Sequence, residues 1–158
     1  MRYNEPNALN DVAKFHETFS LPILDNATIP DKKRCELRIS LLQEELNELK
    51  EAIATDDLVE VADALCDIQY VLSGAILEFG LGDTFKTLFD EVQRSNMSKT
   101  CKTRQEAEAT QKHYLDTKGT ESFIEEKDGE YLVYRAEDKK VLKSVKYSPA
   151  DIKGLMGL

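Results

Sequence analysis

Apolar side chains recur with a helical period through the N-terminal part of this chain. Val12, Phe15 and Phe19 share one face of residues 9–19, which predicts a first helix. Residues 20–30 read as a loop, because Pro22 and Pro30 interrupt the pattern. Asp31 then stands as a cap for a long helix over residues 32–54, whose apolar stripe is Leu42, Leu46, Leu49 and Ile53. Thr55-Asp56-Asp57 is a turn and a new helix start. The next helix, over residues 58–79, carries Val61, Leu65, Ile68 and Leu72, and Gly80 and Gly82 end it. A helix over residues 83–94 places Phe85, Leu88, Phe89 and Val92 inward, with residues 95–99 as a polar terminus, and residues 103–115 read as a charged peripheral helix. From Gly119 the pattern changes. Tyr131 to Tyr134 and Val141 to Val145 flank Glu137-Asp138-Lys139-Lys140, which predicts a β-hairpin. Ser148-Pro149-Ala150-Asp151 then caps a short final helix. The expectation is an all-α helical bundle with a small C-terminal β-hairpin appendage, divided into a helical domain over 1–118 and a hairpin and short-helix extension over 119–158.

The two long helices are alike in a second respect. Each sets its acids on one flank of the apolar stripe, Glu44, Glu45 and Glu48 on the first and Glu60, Asp63 and Asp67 on the second. The short connection makes the pair an antiparallel hairpin, so the flanks can face each other across a shared cavity. A Glu-Glu-x-x-Glu run alone is ordinarily a solvated helix face. Here the second set lies beside a strongly apolar stretch, and residues 58–81 contain no Lys or Arg to serve as an i+4 partner. Facing carboxylates repel unless a cation holds them, and hard divalent ions prefer all-oxygen sites. The motif on the second helix is Glu-x-x-Asp rather than Glu-x-x-His, and neither His16 nor His113 is near it in sequence. That favours Mg²⁺, with Mn²⁺ as the alternative, over iron or zinc. A calcium-binding loop, a Walker-type phosphate loop and a GxGxxG motif are all missing.

Bulk properties narrow the partners. The 158 residues suit a single domain with an appendage, and 41% apolar with 32% charged residues describe a soluble globular chain. A net charge of −9 argues against polymeric nucleic acid but not against a small phosphate ligand held through a metal. No apolar run approaches a membrane span, and the polar N-terminus lacks the apolar segment of a signal peptide. Cys35, Cys66 and Cys101 are few and widely spaced, which fits a reducing cytoplasm; Cys66, in the apolar helix, reads as a buried thiol.

Glu44-Glu45-x-x-Glu48 followed by Glu60-x-x-Asp63 resembles the signature of the MazG-like all-α nucleoside triphosphate pyrophosphohydrolases. The run from Ala62 to Gly74, with Phe89 to Lys99, is similar to the phosphoribosyl-ATP pyrophosphohydrolase-like branch of that superfamily, and the likeness covers residues 10–99. The resemblance implies cleavage between the α and β phosphorus atoms of a triphosphate. It implies a homodimer, or a dimer of dimers, whose helices complete the bundle. By carry-over, Glu45, Glu48, Glu60 and Asp63 match Mg²⁺ ligands, Asp67 is an outer or further metal ligand, and Glu44 is the general-base candidate.

Arg94, Asn96 and Lys99 are candidates for holding the phosphate tail, against a plain reading as a C-terminal cap. Arg38 can meet the acids or the substrate, with a simple salt bridge as the rival. His16, Asn10, Phe15 and Tyr70 can border a nucleobase; the plain readings are core for Phe15 and surface or partner contact for His16. Nothing in the chain names the base or sugar. Nucleotide-pool housecleaning is the favoured role. A non-catalytic nucleotide-binding sensor is the alternative, followed by a helical interaction protein.

Overall fold

The computed structural model describes residues 3–158. Its helices are α1 (Ala8–Thr18), α2 (Lys32–Ala54), α3 (Leu58–Glu78), α4 (Phe85–Met97), α5 (Arg104–Lys118) and α6 (Ile152–Leu155). Two strands, β1 (Ser122–Lys127) and β2 (Glu130–Arg135), lie between α5 and α6. The fold is mostly helical with a small antiparallel hairpin. The chain forms two compact units, residues 1–85 and 86–158.

In the first unit, α3 packs against both α2 and α1. Two aspartates set the starts of the long helices. Asp31 accepts from the amides of Lys33 and Arg34 at 2.9 and 3.2 Å, and Asp57 accepts from those of Val59 and Glu60 at 3.0 and 3.2 Å. Asp56, at φ +56°, makes the tight reversal between them. α3 ends in a Schellman motif: Gly80 N–H bonds Leu77 O at 3.1 Å, and Leu81 N–H bonds Ile76 O at 3.0 Å. Gly80 is required there twice over. Its φ is +66°, and a Cβ would stand 2.0 Å from Asn26 O. The loop before α2 is tied to this end of α3 by Leu24 N–H to Leu77 O and Thr28 N–H to Phe79 O, each 3.0 Å.

The predicted apolar stripes share faces as expected, but much of them is uncovered. Leu46, Ile53, Leu65 and Leu72 are exposed, Leu65 at 52%. The buried apolar residues of this unit are Val12, Ala52, Ala64, Ile76 and Leu77. Cys66 is exposed, not buried, because it lies on the uncovered flank of α3. Periodicity identified the face; it did not say whether one chain covers it.

The second unit corrects the predicted hairpin. The partner of β2 is β1, in a register running from Ser122↔Arg135 to Lys127↔Glu130. The turn is Asp128-Gly129, with φ +53° and +78°. Positive φ at both central residues is the requirement of a two-residue type I′ turn. Residues 141–145 form no strand: Val141 makes a single bridge to Tyr134. On the same side of β2, Cys101 pairs with Tyr131 through reciprocal bonds of 2.8 and 2.9 Å. Cys101, Ala107, Val133 and Leu142 form the core, with Tyr114, Ile124 and Tyr131 packed around it. α4 buries Leu88, but Phe89 and Val92 are exposed rather than inward. Asp151 caps α6 by accepting from Gly154 N–H at 2.9 Å, as its sequence predicts.

Candidate active site

The α2–α3 hairpin brings the two acid flanks together. Glu45 and Asp67 are half-buried, whereas Glu44, Glu48, Glu60 and Asp63 are exposed. The Glu45 carboxyl is pushed above its ordinary range, first by burial and then by Glu48, Asp67, Glu44 and Asp63 in that order. Carboxylates from both helices therefore converge on one half-buried acid. Glu60, nearer the Asp56 turn, is not among the groups that Glu45 feels. Among the described residues, none of the six acids has an ion-pair partner within 4.0 Å. Among the same residues, no three His, Cys, Asp or Glu side chains are gathered closely enough to enclose an ion as they stand. The donors are all-oxygen, adjacent and mutually repelling. They fit a divalent cation that would draw the exposed carboxylates inward around Glu45.

A second charged cluster lies at the open end of the same hairpin. Glu78, 1% exposed, receives Arg34 Nε at 3.0 Å and is also contacted by the terminal nitrogens of Arg34 and Arg38. Burial alone would raise its carboxyl, but the two guanidinium groups overcome that and hold it below the ordinary range. Arg38 thus makes the simple salt bridge, with Glu78 rather than with the acid flank. His16 is buried, at 2% exposure, not on the surface. Its Nδ1 lies 2.8 Å from Pro22 O and its Nε2 lies 3.2 Å from Arg38 Nη2. A carbonyl only accepts and a guanidinium only donates, so the partners assign the proton to Nδ1. Gly74 makes room for this cluster, since a Cβ there would lie 2.6 Å from Arg38 Nη1 and 3.1 Å from His16 Nε2. Sequence reasoning missed Glu78 and Gly74. A signal existed in Glu78, an acid in the run Ala75-Ile76-Leu77-Glu78-Phe79 with no local cation.

Beside this cluster is a cleft of about 190 Å³, mainly apolar, lined by Phe15, His16, Leu37, Arg38, Leu41 and Tyr70 among others. Phe15 is not core. It is 38% exposed and meets Tyr70 edge to face, with ring centroids 5.6 Å apart. Asn10 lies outside this cleft and donates to Asn7 Oδ1 at 2.8 Å.

The other predicted residues belong to the second unit. Arg94 forms a bidentate pair with Glu91 at 2.7 and 2.8 Å and donates to Pro149 O at 3.0 Å. Lys99 donates to Asn96 Oδ1 at 2.7 Å. Ser95 Oγ meets Tyr147 OH at 3.0 Å, and Ser98 Oγ accepts from Ser148 N–H at 3.0 Å. Much of this segment ties down the C-terminal tail.

Comparison with known proteins agrees with this arrangement. A family model described as phosphoribosyl-ATP pyrophosphohydrolase matches residues 12–96. The match spans both acid flanks and stops before the hairpin. The chain is also 25% identical to an uncharacterized protein of Acanthamoeba polyphaga mimivirus, over 84% of this chain and 89% of that protein.

Proposed function

Since the chain belongs to the phosphoribosyl-ATP pyrophosphohydrolase family, within the MazG-like superfamily and its nucleotide pyrophosphohydrolase-like activity, we propose that it cleaves the α–β anhydride of a nucleoside triphosphate with Mg²⁺. The products are a monophosphate and pyrophosphate, and the role is nucleotide-pool housecleaning. The observation that carries this reading is the half-buried Glu45, raised by burial and then by carboxylates from both helices.

Glu45, Glu48, Glu60, Asp63 and Asp67 would hold the metal, which when bound neutralises phosphate charge and lowers the pKa of water. Glu44 flanks these donors on α2, where its carboxylate can take a proton from the attacking water. Phe15 and Tyr70 give the cleft an aromatic, apolar lining, and His16 and Arg38 give it a polar edge, a combination suited to a nucleobase. Arg94, Asn96 and Lys99 are the phosphate-tail candidates, with Arg94 already engaged by Glu91. The exposed Leu46, Ile53, Leu65 and Leu72 support a homodimer that covers them. Among the described residues no helix is long and apolar enough to cross a membrane.

A panel of ribo- and deoxyribonucleoside triphosphates with Mg²⁺ tests the reading. Pyrophosphate, not orthophosphate, is released, and Glu48→Ala and Asp63→Ala abolish release while still unfolding in one cooperative transition. Tight nucleotide binding with no turnover by the wild type would replace the enzyme with a sensor.

A further inference from the structure

The charge of this chain is unevenly divided. Residues 1–85 carry 17 acidic and 7 basic side chains, whereas residues 86–158 carry 13 and 14. Within the second unit, Lys99, Lys118, Arg135, Lys140 and Lys143 all line one cleft of about 480 Å³, beside Tyr114 and Thr120, with no carboxylate in its lining. Every lining residue lies beyond the stretch matched by the family, residues 12–96. Arg135 alone of the five is ion-paired, to Asp138 at 2.7 and 2.5 Å. Among the described residues, the four lysine ammonium groups have no carboxylate within 4.0 Å, although Asp138, paired to Arg135, accepts from the Lys140 backbone N–H at 3.0 Å. Three of the four are nonetheless held by a neighbour. Lys118 lies over the Tyr114 ring at 5.0 Å and Lys143 over the Tyr147 ring at 4.3 Å, while Lys99 is held by Asn96. The positive field reaches Tyr147, whose phenol is held below its ordinary value by the Ser95 hydrogen bond first, against burial, with smaller contributions from Lys143 and Lys99.

We propose that this cleft binds a small polyphosphate anion, the di- or triphosphate chain of a nucleotide or its inorganic counterpart. Four unpaired ammonium groups around one depression repel one another, and a compact anion of high charge density relieves that repulsion. Ammonium groups are point-charge donors well suited to phosphate oxygens, and the Thr120 hydroxyl adds a neutral donor. An extended nucleic-acid strand fits less well. Binding of that kind stacks bases on aromatic faces, and here the Tyr114 and Tyr147 rings already carry lysines. The site uses no residue of the acid flanks and shares only Lys99 with the phosphate-tail candidates, so Lys99 is left unchanged in the variants tested.

Isothermal titration of the full-length protein with inorganic tripolyphosphate in EDTA tests the site, because without metal the acid flanks cannot hold phosphate. The wild type binds, and its affinity falls with added salt. Lys118→Ala/Lys140→Ala/Lys143→Ala weakens binding by about tenfold or more, and the corresponding triple Arg variant retains it. Asp63→Asn loses turnover yet keeps this binding, which separates the two proposals. A parallel titration with a nucleoside triphosphate in EDTA distinguishes the sources: equal affinity assigns the phosphate chain alone, and tighter binding assigns the nucleotide. The triple alanine change leaves exposed side chains shorter and the core intact; should it still lower the melting temperature, Lys140→Glu alone gives the same readout. Absence of tripolyphosphate binding by the wild type, or unchanged affinity in a folded lysine variant, overturns the proposal. So does preferential binding of oligonucleotides that tightens with length.

Discussion

Glu78 and Glu45 belong to the same helical hairpin, and their surroundings act on them in opposite directions. Glu78 is almost wholly enclosed, yet two guanidinium groups keep it ionised. Glu45 is only half-buried, yet it is raised, first by that burial and then by the carboxylates across α2 and α3, with no cation among the described residues to offset them. Depth of burial therefore does not order these two acids; the sign of the nearest charges does. The Glu78 cluster holds its carboxylate ionised without any added ligand, although Arg38 Nε stays buried with no hydrogen-bond partner among the described residues, and it acts in stability. The Glu45 cluster is incomplete, and an incomplete cluster of oxygen donors in a hairpin is what a removable cation would complete.

The largest expected effect breaks the complete cluster. Glu78→Ala leaves Arg34 and Arg38 facing each other across a buried gap with no counter-charge, and costs about 3–5 kcal/mol of stability. Chemical denaturation at neutral pH measures it. The pH dependence has a definite sign. The folded Glu78 is depressed below its ordinary value, so its contribution is present above that ordinary value and lost as pH falls through the depressed one. A wild type that shows this acid-side loss, beside a Glu78→Gln variant that does not, confirms the assignment. Wild-type stability in Glu78→Ala would show that the pair is expendable.

The incomplete cluster responds in the opposite way, to addition rather than removal. Mg²⁺ at a hundredfold excess over its dissociation constant stabilises the folded protein by about 2.7 kcal/mol. The rise in melting temperature is absent in Asp63→Asn and present in Glu78→Gln. A Mg²⁺ effect of equal size in Asp63→Asn removes the acid flanks as the metal site.

A smaller effect comes from the position that makes room for the first cluster. Gly74→Ala places a methyl group 2.6 Å from Arg38 Nη1. The contact is with a side chain whose end is pinned by Glu78 and His16, so it yields only by weakening those bonds. The cost is about 1–3 kcal/mol, read by thermal denaturation. The substitution also narrows the cleft between Phe15 and Tyr70, so KM for the preferred triphosphate rises. A neutral Gly74→Ala would mean that the Arg38 guanidinium moves aside freely.

These two clusters also mark what a single sequence discloses. That Glu44, Glu48, Asp63 and Asp67 act on Glu45 was legible because it is local: i, i+3, i+4 spacing on two helices joined by a three-residue turn sets those carboxylates on adjoining flanks. Helix starts at Asp31 and Asp57 were legible for the same reason, since a cap bonds its own next residues. The Glu78 pairing was not, because Arg38 lies 40 residues away and its place beside Gly74 depends on how α2 sits on α3. The exposure of Leu65 and Cys66 was hidden as well, since periodicity describes a face and not what covers it. The C-terminal hairpin and its strand at 131–134 were legible, but the partner strand was assigned to the wrong side of it despite a local signal. Asp128-Gly129 outranks the apolar run at 141–145 as a hairpin marker, and Val141 ended as a single bridge to β2.

The smallest effect is the most diagnostic. Glu45→Gln removes one charge from the repelling set while keeping the shape of the side chain. Because the folded Glu45 carboxyl is raised, the folded state is progressively penalised as pH climbs from the ordinary carboxylate value through the raised one. The substitution therefore stabilises the metal-free protein at pH 7, by a screened amount on the order of 0.5 kcal/mol, and the gain fades below the ordinary carboxylate value, where both proteins are neutral at that position. Turnover is lost in the same variant, and the Mg²⁺-induced rise in melting temperature shrinks. A protein made more stable and less active by one charge is the mark of a site held under strain for its ligand. If Glu45→Gln is instead destabilising at pH 7 without metal, the acids are not repelling one another, and the contrast with Glu78 disappears.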